Sequence, residues 1–262
     1  MNERQYGLAM LISESAKKYP TIIQKLPKLN WEDRGTDDPT FYSMCYDSTK
    51  PHLKNSCGPD WVFYHWPSAS ITSFEETKNK IIEASNLKPL ISKVGWYGNL
   101  SSPLSDVPEY KTRPLLKSIA DKNQHCIDVI HVPPNRGKID STVEHYMSLE
   151  DLVKQYAYLL DIGGNGYSGR LKFLLFSKRP LLIVERRYIE YFYNDLKPYV
   201  HFIPVKLDLS DLIKKIDWII KNPEAADAIA QNAFNFAMEN FSKNKLMKRI
   251  CSVYEHLKTI DA

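Results

Sequence analysis

The spacing of apolar positions changes once along the chain, near residues 85–92. Before that point, aromatic and apolar residues fall irregularly among Pro, Gly, Asp and Ser, which predicts a loop-rich region. After it, short apolar runs alternate with segments of helical period. "KVGWYG" (93–98), "CIDVIHV" (126–132), "YAYLLDI" (156–162), "PLLIVE" (180–185) and "VHFIPV" (200–205) read as strands. "TRPLLKSIADK" (112–122), "SLEDLVKQ" (148–155), "SGRLKFLLFS" (168–177), "YIEYFYNDL" (188–196) and "SDLIKKIDWIIKN" (210–222) read as helices. A last amphipathic stretch begins at Asn222 and Pro223, a cap and first-turn pair, while Ser210 is the expected N-cap of the helix before it. Such alternation predicts an α/β fold: βαβ units building a parallel sheet with helices on both faces. The Rossmann-like part is expected over 89–240, preceded by a smaller region at 1–88 and followed by a closing helix at 241–262.

Composition narrows the classes of partner. Thirty-five Lys and Arg against 31 Asp and Glu leave a formal charge of +4, without the basic runs that mark a nucleic-acid tail. The pairs Lys178-Arg179 and Arg186-Arg187 read as solvated surface. No run approaches the roughly 18 apolar residues of a membrane span, and "YGLAMLI" lacks the cleavage context of a signal peptide. The expectation is a cytoplasmic protein, with peripheral membrane attachment left open. Cys45, Cys57, Cys126 and Cys251 are scattered without a C-x-x-C pair, which predicts buried thiols rather than zinc or a disulfide framework.

The chemistry concentrates in "DIGGNGYSGRLKFLLFS", where Gly164-x-Gly166-x-x-Gly169 follows a strand and opens a predicted helix. Such a helix end offers unpaired N–H groups and a positive dipole to an anion. Ser168 adds a hydroxyl, Arg170 a bidentate grip on phosphate oxygens and Lys172 a further cation, so a diphosphate suits the loop. A tight turn with a solvated Arg170 explains the same glycines. A dinucleotide fingerprint is the third reading, with Glu185 at the end of "LLIVE" on the ribose. Against it, several strand–helix alternations precede the loop, whereas that fingerprint normally opens its domain.

Several blocks in order resemble glycosyltransferase family 90: "GPDWVFYHWPSA" (58–69), "VGWYGNLSS" (94–102), "YLLDIGGNGYSGRLKFLLFS" (158–177) and "YIEYFYNDLKPYVHFIPVKLDLSDL" (188–212). The resemblance covers about residues 30–240. It implies a GT-B-like arrangement, with the Rossmann-like C-terminal lobe holding a UDP-sugar and a reduced N-terminal lobe (1–88) on the acceptor side. It implies inverting transfer of a hexose or pentose, from UDP-glucose or UDP-xylose, to a hydroxyl of a glycan or glycoconjugate. It further implies a transfer that requires no cofactor and no divalent metal, in keeping with the lack of a D-x-D suited to a metal in the sequence.

The family's general base is an aspartate in a short segment that "LNWED" resembles, which makes Asp33 the candidate, with Asp37 and Asp38 in the same loop and Asp60 in the P-D-W block as alternatives. Glu190 matches an acidic position suited to the ribose hydroxyls. Trp61, Phe63, Trp66 and Pro67 resemble an acceptor wall, although aromatic packing accounts for them equally. His201 reads as a core histidine on a strand. One departure concerns the turn after "KVGWYG": family members often show Arg-Gly followed by another Arg, and this chain has Tyr97-Gly98-Asn99-Leu100-Ser101-Ser102. Gly98 and Ser101 are then the donor-side candidates of that turn, with Ser101, Ser102 or Arg113 standing in for the missing arginine. The alternatives are a non-catalytic nucleotide-sugar or glycan-binding relative, and an NAD(P)-dependent oxidoreductase.

Overall fold

The computed structural model describes residues 1–100, 108–132 and 147–261. Its centre is a five-stranded parallel sheet. The chain enters through α1 (Glu3–Lys18), which starts with a capping box: Asn2 accepts from the Gln5 backbone, and the Gln5 side chain accepts from Asn2 N. β1 (Tyr46–Asp47) and three 3-10 turns over 51–56, 61–63 and 67–69 lead to α2 (Phe74–Ser85), capped by Ser73. β2 (Ile91–Gly98), α3 (Pro108–Lys122), β3 (Ile127–His131), α4 (Leu149–Gln155) and β4 (Tyr156–Asp161) follow. After the glycine loop come α5 (Leu171–Leu174), β5 (Leu181–Val184), β6 (Tyr188–Ile189), β7 (Ile203–Val205), α6 (Leu212–Lys221), α7 (Pro223–Asn240) and α8 (Lys243–Asp261).

The sheet order is β3-β2-β4-β5-β7, every neighbouring pair parallel. Successive residues on a strand face opposite sides, and here they supply two separate cores. Leu159, Leu181 and Ile183 enter one core with α2, α4 and α8, while Leu160, Leu182 and Val184 enter the other with α3 and α6. Both faces are therefore covered, as a parallel sheet requires. Because β3 and β4 flank β2, the direction of winding reverses between β2 and β4, and the C-terminal ends of those strands, Gly98 and Asp161, border the resulting crevice.

Residues 1–88 contain only one strand, the two-residue β1, which pairs antiparallel with β6 (Tyr46 opposite Ile189, Asp47 opposite Tyr188). Their apolar residues, including Leu8, Tyr42, Trp61 and Phe74, lie in the same core as Leu159, Ile183 and Ile250. Arg249 on α8 donates to the carbonyls of Lys54 and Cys57, fastening the last helix to the early turns. All four cysteines are buried and free. No helix among the described residues is long and apolar enough to cross a membrane.

Four expectations need correction. The helix expected over 168–177 is reduced to the four residues of α5. The segment 188–196 is no helix: Tyr188 and Ile189 are drawn into the strand pair with β1, and only a 3-10 turn remains at 193–195. Ser210 does not cap α6, which starts at Leu212 after Asp211; the Asp211 carboxylate instead accepts from Lys206 N at 3.0 Å. Pro223 does open α7, but Asn222 turns its amide back to Trp218 O rather than capping forward.

Candidate functional site

The glycine loop leaves β4 at the reversal of strand order, where open α/β sheets place their ligands. Its glycines are there for closeness rather than for unusual dihedrals: only Gly35 and Gly98 among the described glycines have positive φ. A Cβ at Gly166 would lie 1.5 Å from the carbonyl oxygen of Asp33, and one at Gly169 would lie 2.9 Å from the Trp66 ring. The loop thus seats the 30–35 segment directly on its backbone, and Arg34 Nε donates to Asn165 O at 3.2 Å. Gly164 is freer, with Arg113 Nη2 as the nearest atom at 3.6 Å.

Arginines from three elements converge here. Arg170 donates to Tyr97 O at 2.6 Å and lies 5.0 Å from the Tyr97 ring centre. Arg113 donates to Gly163 O at 3.0 and 3.2 Å and to Asn99 O at 3.0 Å. Their guanidinium carbons lie 5.6 Å (Arg113) and 5.7 Å (Arg170) from the Trp96 ring centre. Burial, with the neighbouring Arg170 charge, lowers the Arg113 pKa to about 10. Arg186 is buried against Asp161, whose other oxygen accepts from Ser168 at 2.7 Å. Asp161 is thus engaged by Arg186, while Arg113 and Arg170 rest on backbone carbonyls. Guanidinium groups gathered in this way, beside an Asp161 carboxylate already engaged by Arg186, can hold an anion, with Glu185 a second carboxylate, on the wall of the adjoining pocket. Arg34, Gly163, Gly166, Glu185, Arg186 and Leu207 line that pocket, a shallow one with a cavity volume of about 20 Å³.

Asp33 meets the loop through its backbone at Gly166. Its carboxylate accepts from Arg4 Nη1 at 2.6 Å, with both side chains about one-third exposed. Asp37 pairs with Lys50, and Asp38 accepts from Thr40 within its own turn. Gly98 ends β2 within reach of the cluster, a Cβ there falling 3.1 Å from Arg170 Nη2. Ser101 and Ser102 lie outside the described residues.

Other candidates sit elsewhere. Lys172 does not face the loop's open side: its side chain has no exposed surface, and its ammonium lies 3.1 Å from Asp60 and 2.8 Å from Glu190. Glu190, on the residue after β6, is equally buried, so it faces this lysine and not a ribose. Asp60 also accepts from the Tyr167 hydroxyl at 2.9 Å. Burial outweighs the Lys172 attraction and lifts the Glu190 pKa to about 8. Trp61 and Phe63 belong to the core, Phe63 among Phe74, Tyr191 and Phe241, so for these two residues aromatic packing holds rather than an acceptor wall. Trp66 is half-buried against Gly169, and Pro67 is exposed. His201 precedes β7, half-buried, with Nδ1 accepting from Lys197 N and the ring against Phe236. Sequence reasoning missed Arg34 and Arg186 as residues of this site; the short Arg186-Arg187 pair was its only visible signal.

Known proteins resemble the chain over parts of its length. Protein O-glucosyltransferase 2 of Danio rerio is 35% identical over 111 residues, 42% of this chain and 21% of that protein. Uncharacterized protein 179R of Invertebrate iridescent virus 6 is 32% identical over 143 residues, 52% of this chain and 12% of that protein. The chain therefore aligns with about a fifth or less of the length of these relatives. A solved structure of Anabaena Alr3699/HepE in complex with UDP has a TM-score of 0.41 at 11% identity, covering 69% of this chain and 44% of that one. The family model described as "Glycosyl transferase family 90" matches residues 23–259, and with nine-tenths of its length inside that match, the chain belongs to this family.

Proposed function

We propose that the protein transfers a sugar from a UDP-activated donor, UDP-glucose or UDP-xylose, to a hydroxyl of a glycan or glycoconjugate. The observation that carries the reading is the convergence of Arg113 and Arg170 on the glycine loop, at the crevice where the strand order reverses. Membership in family 90 and the names of the O-glucosyltransferase relatives support the same chemistry. In this reading the donor diphosphate displaces the carbonyl contacts of the two guanidinium groups. As the sugar–oxygen bond breaks, negative charge grows on the departing UDP, and those groups are already in position to neutralise it. The proposed mechanism is a single, inverting displacement that uses neither cofactor nor divalent metal. The acceptor hydroxyl attacks from the opposite side and gives its proton to Asp33, which Arg4 holds in place. The backbone contact between Asp33 and Gly166 fixes base and donor loop relative to each other.

Thermal-shift measurements with UDP, UDP-glucose, UDP-xylose and NAD test the donor class, since a saturating native-state ligand stabilises by RT ln(1 + [L]/Kd). UDP and a UDP-sugar are expected to raise Tm, and Arg113→Ala and Arg170→Ala to abolish the rise. Stabilisation by NAD without UDP overturns the proposal.

A further inference from the structure

The buried charge cluster around Lys172 has no part in the steps above, yet it joins three separated stretches of chain. The ammonium lies between Asp60, just before the 61–63 turn, and Glu190, just after β6. It also donates to Gly169 O at 3.2 Å, and the Tyr167 hydroxyl meets Asp60 at 2.9 Å, so the glycine loop is held at two points on either side of Ser168. The Phe63 and Tyr167 rings stand 5.2 and 5.6 Å from the ammonium. Stability alone is a poor explanation. Removing these charges from water carries a large desolvation cost, and one oxygen, Asp60 Oδ1, is buried with no hydrogen-bond partner. The Glu190 carboxyl lies 2.8 Å from the ammonium but off hydrogen-bond geometry. A well-packed apolar group would fill the space at no greater cost, but it would not hold the Gly169 carbonyl or the Tyr167–Asp60 pair in register.

We propose that Lys172 is a positioning residue: through Gly169 O and the Asp60–Tyr167 pair it sets the conformation of the 163–170 loop and so the placement of Arg170. The proposal rests on the donor-site reading for its effect on ligand, but its effect on the loop does not depend on that reading. Hydrogen exchange of the unliganded full chain is therefore the first readout. Lys172→Met is expected to speed exchange at 163–170 by tenfold or more while β4 and β5 keep wild-type protection; UDP affinity is expected to fall about tenfold. Glu190→Gln, which retains an acceptor and leaves Lys172 paired with Asp60, is expected to stay within about twofold of wild type on both counts. Tyr167→Phe removes one hydroxyl from the loop and is expected to speed exchange there even if Lys172→Met does not fold. Unchanged exchange at 163–170 in a folded Lys172→Met or Tyr167→Phe overturns the proposal, as does acceleration spread evenly over the sheet. Loosening of the loop in a protein whose wild type ignores UDP upholds the positioning role and overturns the donor reading instead.

Discussion

Glu190 lies against the Lys172 ammonium inside the core, and its burial raises the carboxyl pKa to about 8. The folded chain thus keeps a proton that the unfolded chain releases near pH 4.5. Between those two values the folded state binds more protons, so stability falls as pH rises, complete below about 4.5 and lost by about 8. Wild type is expected to lose several degrees of Tm between pH 5 and 8 that Glu190→Gln does not lose; parallel Tm–pH curves for the two would remove Glu190 as the source. At Asp33 the expected result is kinetic. Asp33→Asn keeps the UDP-induced Tm rise but lowers transfer by about 10²- to 10⁴-fold. Its partner Arg4 is partly exposed, so stability should change little. Normal turnover by this variant would reject Asp33 as the base. Residue identities at the loop were legible because Gly164, Gly166, Ser168, Gly169 and Arg170 stand together within seven consecutive positions. The surroundings of Lys172 were not: Asp60 is 112 residues away, and nothing local distinguishes a buried lysine two places after Arg170 from an exposed one.

At the scale of elements, the glycine loop and the 30–35 segment behave as one unit, and two substitutions separate crowding from backbone freedom. Gly166→Ala puts a methyl group 1.5 Å from a carbonyl oxygen that cannot rotate away, so the two segments must part, at a cost of about 3 kcal/mol or more. Gly164→Ala meets nothing nearer than 3.6 Å and requires no positive φ, so it is expected to be close to neutral. Equal Tm losses for the pair, measured by calorimetry, would show that the loop responds to backbone flexibility instead. The strands of the sheet were readable because their apolar runs are short and bounded by turn residues. Residues 188–196 misled because "YIEYFYNDL" carries apolar residues at helical spacing as well. What decides their conformation is pairing with Tyr46 and Asp47, some 140 residues earlier, reinforced by the Arg187–Asp47 ion pair at 2.6 Å. Long-range pairing of this kind leaves no local trace.

For the molecule as a whole, the sheet's first core draws on α1, α2, α4 and α8 together, so residues 1–88 bury their apolar surface against elements at 149–257. Unfolding is therefore expected as one cooperative transition, with calorimetric and van't Hoff enthalpies equal. Ile250, fully buried on α8, tests this: Ile250→Ala is expected to cost about 2–5 kcal/mol and to move the whole transition to lower temperature. A separate early melting phase would instead show that the N-terminal region unfolds by itself. The change of texture near residues 85–92 marks where the parallel sheet begins, as α2 ends at Ser85 and β2 starts at Ile91. The sharing of one core across that boundary was invisible, because interior neighbours are a property of the folded chain rather than of either stretch.

The seating of Asp33 on Gly166 also bears on how such a protein could acquire a new preference. Two backbones meet there with no side chain between them, so a side-chain substitution cannot adjust the gap between the 30–35 segment and the glycine loop in small increments. If the proposed transfer holds, changes in sugar or acceptor choice would arise at the periphery, around Trp66 and Pro67 or around Arg34, while the contact between the two segments stays fixed.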